Sequence, residues 1–316
     1  MLNRHLIRIK VFKVLYSFVS SASGSLPGAT RELLHSCEKT LHLYYMMLNL
    51  SVALKRVADD RIEKGLRKFN PTPEEREPNR RFSDNAFIKY LISDTAFVKF
   101  CEDHALLWRE DLDVVARKVF AAISGREYYR KYMSSPESSA DEDCRLVKRI
   151  YRDTDAIEEN ELLLSSLEDM SLYWTDDIGY VLMYIIHTVD AFSRTGSIVW
   201  PGVFQKDDDR AFATDLLCHA AMNYDKYMEL VRPYLSNWDS ERIVSTDMIL
   251  ILQGIAEAVR FPGIPVKVTI NEYVEIAKCY GTPNSNNFVN GLLDSVIKKL
   301  VGDGTVVKTG RGLLDR

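Results

Sequence analysis

Apolar residues that return every three to four positions run through almost all of this 316-residue chain, and that spacing commits it to helices. In the stretch Asn3–Ser20, Ile7, Val11, Val14 and Phe18 fall at i, i+4, i+7 and i+11, one face of a 3.6-residue period. Alternation with period two is scarce, so the predicted class is all-α. The Ser/Gly-rich piece Ser20–Gly28 ends the first helix. A longer one is expected over Ala29–Phe69, with Leu34, Cys37, Leu41, Tyr44, Leu48 and Val52 on its buried side. Pro71, Pro73 and Pro78 make Asn70–Asn79 a loop.

Shorter helical patterns fill Asp84 to Gly196. One near Ser171–Ser193 carries Ile178, Leu182, Ile185 and Val189 on one face. A helix is predicted over Asp207–Leu235, its acidic start suited to the helix dipole. Another is predicted over Ser240–Arg260, with Ile243, Met248, Ile251, Ile255 and Val259 inward. Lys267–Tyr280 should stop at Gly281. Asn284 or Ser285 can cap a last helix reaching about Val301, with Val289, Leu292, Val296 and Leu300 as its stripe. The glycine-rich tail Gly302–Arg316 reads as a short hairpin.

Composition excludes several classes. With 46% hydrophobic and 27% charged residues, the chain is neither disordered nor fibrous. Five scattered cysteines without CxxC spacing give no zinc or redox motif and suit a reducing, cytoplasmic setting. No apolar run approaches the roughly 18 residues that cross a bilayer, so no membrane association is expected. Lys10 and Lys13 interrupt the one stretch that could resemble a leader peptide.

No HExxH, P-loop, GxGxxG or GxSxG pattern occurs, and no metal, cofactor or catalytic residue is expected. Asp207, Asp208 and Asp209 are consecutive, so their carboxylates diverge by about 100° per step on a helix and do not form a cation site.

Charge is uneven. Residues 1–20 carry +4 and residues 263–316 carry +2, which leaves −10 for residues 21–262 against a chain total of −4. Basic ends around an acidic middle point to nucleic-acid contact by the ends. Single-stranded RNA is held by cations on phosphates and aromatic faces under bases. Arg4 and Arg8, one helical turn apart, could reach one backbone, and His5 beside them could stack or donate. At the other end Asn284 to Asn287 precede Phe288, and amides that read base edges beside an exposed ring would complete such a surface. The competing reading places Phe288 in the core and the arginines on a solvated flank.

The same two ends carry a family resemblance. Arg4 to Phe18, RHLIRIKVFKVLYSF, resembles the first helix of the NusB transcription antitermination family. Ile264 to Asp294, IPVKVTINEYVEIAKCYGTPNSNNFVNGLLD, is similar to the family pattern VP-x-KVAINEA-x-ELAK…FVNGVLD, with its proline, INE, AK and FVNG elements at their relative spacing. The resemblance implies a core of residues 1–20 plus 206–316 and a helical insert, 21–205, of the extended, Bacteroidetes-like form. It implies two helical bundles packed at an angle.

It also implies an adaptor that binds boxA RNA with the ribosomal protein NusE, in the RNA polymerase antitermination complex with NusA and NusG, as a monomer or homodimer. Carried over by position, Arg4, His5, Arg8, Lys10, Lys13, Asn284, Asn287 and Phe288 would face RNA, and Tyr16 and Asp247 would face NusE. His5 stands where the family usually has arginine, and Leu6 where it has another basic residue. The alternatives are a helical protein-interaction scaffold in ribosome biogenesis without direct RNA contact, and a ribosomal RNA methyltransferase. The latter needs a Rossmann-like domain that the pattern leaves no room for.

Overall fold

The computed structural model describes residues 1–21, 24–108, 111–235 and 245–314. Its helices are α1 Arg4–Ser20, α2 Leu26–Leu66, α3 Pro73–Arg76, α4 Ala86–Ser93, α5 Thr95–Asp103, α6 Asp111–Ser124, α7 Glu127–Ser134, α8 Ala140–Tyr151, α9 Glu161–Met170, α10 Ile178–Thr195, α11 Asp209–Met222, α12 Tyr224–Leu235, α13 Ser245–Arg260, α14 Val266–Tyr280 and α15 Ser285–Gly302. Among the described residues no strand forms, and Leu2 and Phe204 make one isolated parallel bridge. No described helix is long and apolar enough to cross a membrane. The class is all-α, with a large helical region beyond the ends.

The chain divides into two compact units. One is Met1 with Glu38–Val203; the other is Leu2–Cys37 with Phe204–Arg316. The division falls inside α2, after Cys37, and not at Ser20. The first turns of α2 belong to the second unit because Leu33 and Cys37 are buried there and the Thr30 hydroxyl meets the Cys218 thiol at 3.8 Å.

In the first unit α2 is the axle. Every residue from Leu43 to Leu50 is buried, more than two turns without a solvent face, which marks a helix surrounded on all sides. A single apolar stripe understated this. Along that stretch the polar contacts are neutral: the Trp108 indole donates to the Met46 carbonyl at 2.8 Å, the Tyr151 hydroxyl to the Met47 carbonyl at 2.6 Å, and the helix's own Asn49 amide to the Leu106 carbonyl at 2.8 Å. The proline stretch is more ordered than a loop, because Thr72 and Glu75 cap the single turn α3 reciprocally.

In the second unit α13 plays the same part, buried almost continuously from Met248 to Ala258. It lies against α11, α14, α15 and α1. Gly254 allows the close approach of α15, since a Cβ there would sit 2.8 Å from a Leu293 methyl. The expected helix Asp207–Leu235 is two, divided at Asn223, whose amide turns back onto the His219 carbonyl at 2.9 Å. Ile243, and the expected helix start at Ser240, lie outside the described residues. The described part of the tail forms no hairpin. It folds back on the turn after α13, with Thr309 N–H donating to the Pro262 carbonyl at 3.0 Å, and ends in a 3₁₀ turn at Gly310–Leu313.

Candidate functional site

Helix α1 begins at Asn3, whose side chain accepts from Leu6 N–H at 2.9 Å. Its basic side chains do not project together into solvent. Arg4 grips both acids at the start of α11, Nη2 on Asp208 at 2.7 Å and Nε on Asp209 at 3.0 Å, with its guanidinium 4.7 Å from the Phe212 ring. His5 Nδ1 lies 2.8 Å from Glu272.

Arg8 is 3% exposed and forms a two-pronged pair with Glu257 at 2.7 and 2.8 Å. Glu272 adds a third contact at 3.3 Å. Burial works against the charge, yet Glu257 and Glu272 raise the Arg8 pKa above its ordinary value. Glu257 also accepts from Thr269 at 2.9 Å and Tyr273 at 3.2 Å. The hydrogen bond from His5, outweighing burial and aided by Arg8, holds Glu272 below the usual carboxylate range. Lys10 is buried too. Arg8 and Lys10 are therefore corrected from surface contacts to parts of the scaffold: an arginine engaged by two carboxylates in the interior cannot also reach a phosphate.

Lys13 is placed differently. It is half-buried, with Nζ 5.4 Å from the centre of the Tyr280 ring, and Phe12 meets the same ring at 5.5 Å. His5 meets Glu272 and Lys13 meets Tyr280, so α1 and α14 run side by side in the same direction. That brings the middle of α1 to the elbow between α14 and α15. Gly281 makes the elbow possible, because a Cβ there would lie 2.4 Å from that of Ser285. Asn284 turns the chain at φ 76°, a left-handed conformation that asparagine tolerates. Asn284 and Asn287 are exposed.

Phe288 is 6% exposed and packs inward, so it cannot stack a base. Asp247 is 2% exposed. It accepts from the Ser285 hydroxyl at 2.6 Å, and burial raises its pKa. It holds the start of α15 onto α13 and presents no face to a protein partner. Tyr16 is exposed. Gly291 is exposed with nothing near its missing Cβ; the glycine at a close packing point is Gly254.

Sequence reasoning missed Glu257, Glu272 and Tyr280, the groups that decide where the α1 cations point. Gln253 and Glu257 were visible as polar residues one turn apart in an otherwise apolar run. Polar groups at core-facing positions signal a buried partner. Among the described residues no cluster of His, Cys, Asp or Glu could hold a metal ion.

Comparison with known proteins agrees with the geometry. The NusB family model matches residues 204–298. The transcription antitermination protein NusB of Salinibacter ruber is 36% identical over 125 residues, which span 40% of this chain and 78% of that protein. NusB of Chloroherpeton thalassium is 40% identical over 85 residues, 27% of this chain and 40% of its own length. NusB of Methylacidiphilum infernorum is 39% identical over 90 residues, 28% and 63% respectively. No solved structure matches the chain. With over three quarters of one such relative covered at more than a third identity, and the matched segment forming the α11–α15 body that seats α1, the chain belongs to the NusB family.

Proposed function

We propose that this chain is a transcription antitermination factor that acts in the cytoplasm and binds boxA-type single-stranded RNA together with the ribosomal protein NusE, within the RNA polymerase complex that also holds NusA and NusG. The family is non-enzymatic. The observation that carries the RNA reading is the elbow: Asn284 and Asn287 are exposed beside Tyr280, with Lys13 over that ring. Amides that read base edges next to a cation suit an unpaired strand. The RNA-facing set is then Lys13, Asn284 and Asn287, with the outer edge of Arg4 and His5. Arg8, Lys10 and Phe288 hold the helices that present it. Tyr16 remains the NusE-facing candidate on α1.

One or two phosphate contacts give a log–log salt slope of about −0.7 to −1.4. Fluorescence anisotropy of a boxA-type RNA, with and without NusE, tests this. The Lys13→Ala, Asn287→Ala double variant should weaken binding about tenfold, with helicity unchanged. The pairing of Arg4, His5 and Arg8 with acids favours a second reading, a protein-interaction scaffold without direct RNA contact. Retention of NusE with no RNA binding in either condition would select it.

A further inference from the structure

The first unit contains a cavity of about 550 Å³ that neither the family match nor the proposed surface involves. It lies between the last turns of α2, the capped turn α3, the end of α6 and α7. A volume of that size accommodates a small organic molecule. Phe82, Phe120 and Tyr129 form one wall, their rings 5.5 to 6.1 Å apart in tilted and edge-on pairs.

Two polar groups at this wall have no hydrogen-bond or ion-pair partner among the described residues. Ser83 is 4% exposed, and its hydroxyl is buried without a hydrogen-bond partner. Leaving such a group unsatisfied costs about 1–3 kcal/mol, which makes it a place to look for a ligand. Arg61 is exposed, acts electrostatically on Tyr129, and makes no ion pair among the described residues. Among the other lining groups, Asn79 donates to the Met133 carbonyl, Ser124 to the Ala121 carbonyl, and Glu75 accepts from Lys68.

We propose that this cavity binds a small monocarboxylate with a flat apolar body, the carboxylate on Arg61 and the Ser83 hydroxyl and the body against Phe82, Phe120 and Tyr129. The head is limited to one negative charge. Glu74 lines the rim, and α2 and α6 both end at the cavity. Helix C-termini carry partial negative charge, so a single guanidinium leaves no surplus for a phosphate dianion. Flat bodies are favoured because the wall is three rings and not a branched aliphatic surface.

The test uses the full chain with 2-naphthoate as probe, read by saturation-transfer NMR and titration calorimetry, beside 2-naphthalenemethanol and 2-naphthyl phosphate. Saturable binding of naphthoate is expected, with the alcohol and the phosphate each about tenfold weaker. Arg61→Met, at an exposed position, should bring naphthoate down to the alcohol's affinity. Ser83→Ala should weaken naphthoate several-fold without lowering the melting temperature. Ala121→Phe, on an exposed lining residue, should fill the cavity and remove binding. The proposal is overturned if naphthoate does not saturate, if the alcohol or phosphate matches it, or if any of the three variants leaves its affinity unchanged.

Discussion

The two central helices solve the same problem with different chemistry. In the first unit the middle of α2 meets neutral groups: Trp108 and Tyr151 donate to its backbone carbonyls, its own Asn49 donates to the Leu106 carbonyl, and its Tyr44 pairs with Thr188. In the second, α13 holds a buried carboxylate, Glu257, that receives a buried arginine from α1, a threonine and a tyrosine. Neutral bonds cost little to bury and specify little charge. A buried ion pair adds little net stability, but removing one partner is severe because the other is left charged in the interior. The middle of α13 should therefore be more brittle to single substitutions than the middle of α2, and more so in charge than in volume.

The sharpest way to break this contrast is Glu257→Ala. It strands Arg8, and a loss of about 3–5 kcal/mol is expected. Hydrogen exchange should locate the loss in α1, α13 and α14 and leave the first unit protected. A loss confined below about 1 kcal/mol would place water beside Arg8 and end the contrast. Next is Gly254→Ala. The added methyl meets Leu293 at 2.8 Å and Tyr273 at 3.2 Å, an overpacking worth about 1–3 kcal/mol in denaturant melts.

Tyr151→Phe in the first unit removes the hydroxyl that donates to the Met47 carbonyl and accepts from the Ser51 hydroxyl. About 1–2 kcal/mol is expected, less than for Glu257→Ala. The smallest effect is Asp208→Ala, about 0–1 kcal/mol, because that carboxylate is largely exposed and Arg4 keeps its bond to Asp209.

Acid sharpens the comparison from another side. Glu272 has a folded pKa below its unfolded value, so its contribution is fully present above the ordinary glutamate range. It is lost as pH falls through the folded value. Glu272→Gln should flatten that part of the stability–pH curve for the second unit. An unaltered curve would show that His5 and Arg8 do not depend on it.

How much of this was legible in the sequence differs by level. The class, the bounds of α1, α14 and α15 and the stripes of α10 and α15 followed from spacing, because helical period is a local property. The split at Asn223 was hidden, since a residue of modest helix propensity became a break only when its amide found His219. The site was read as a charge run, and charge counted along the chain is not charge in space. Arg8 looked like a surface cation until α13 supplied Glu257, 249 residues away. Phe288 followed the core reading because its face of α15 is continuous with Leu292, as its spacing allowed. The exposed asparagines at 284 and 287 needed no distant partner, and their local setting is close to what the sequence suggests.

The pairing of α1 to acids along its length has a consequence for whatever lands on it. Sliding the helix by one turn would part Arg8 from Glu257 and His5 from Glu272 together, so its register is locked before any encounter. A strand settling on α1 would meet Arg4 and His5 already held by their acids, and less ordering of those side chains would remain to oppose association.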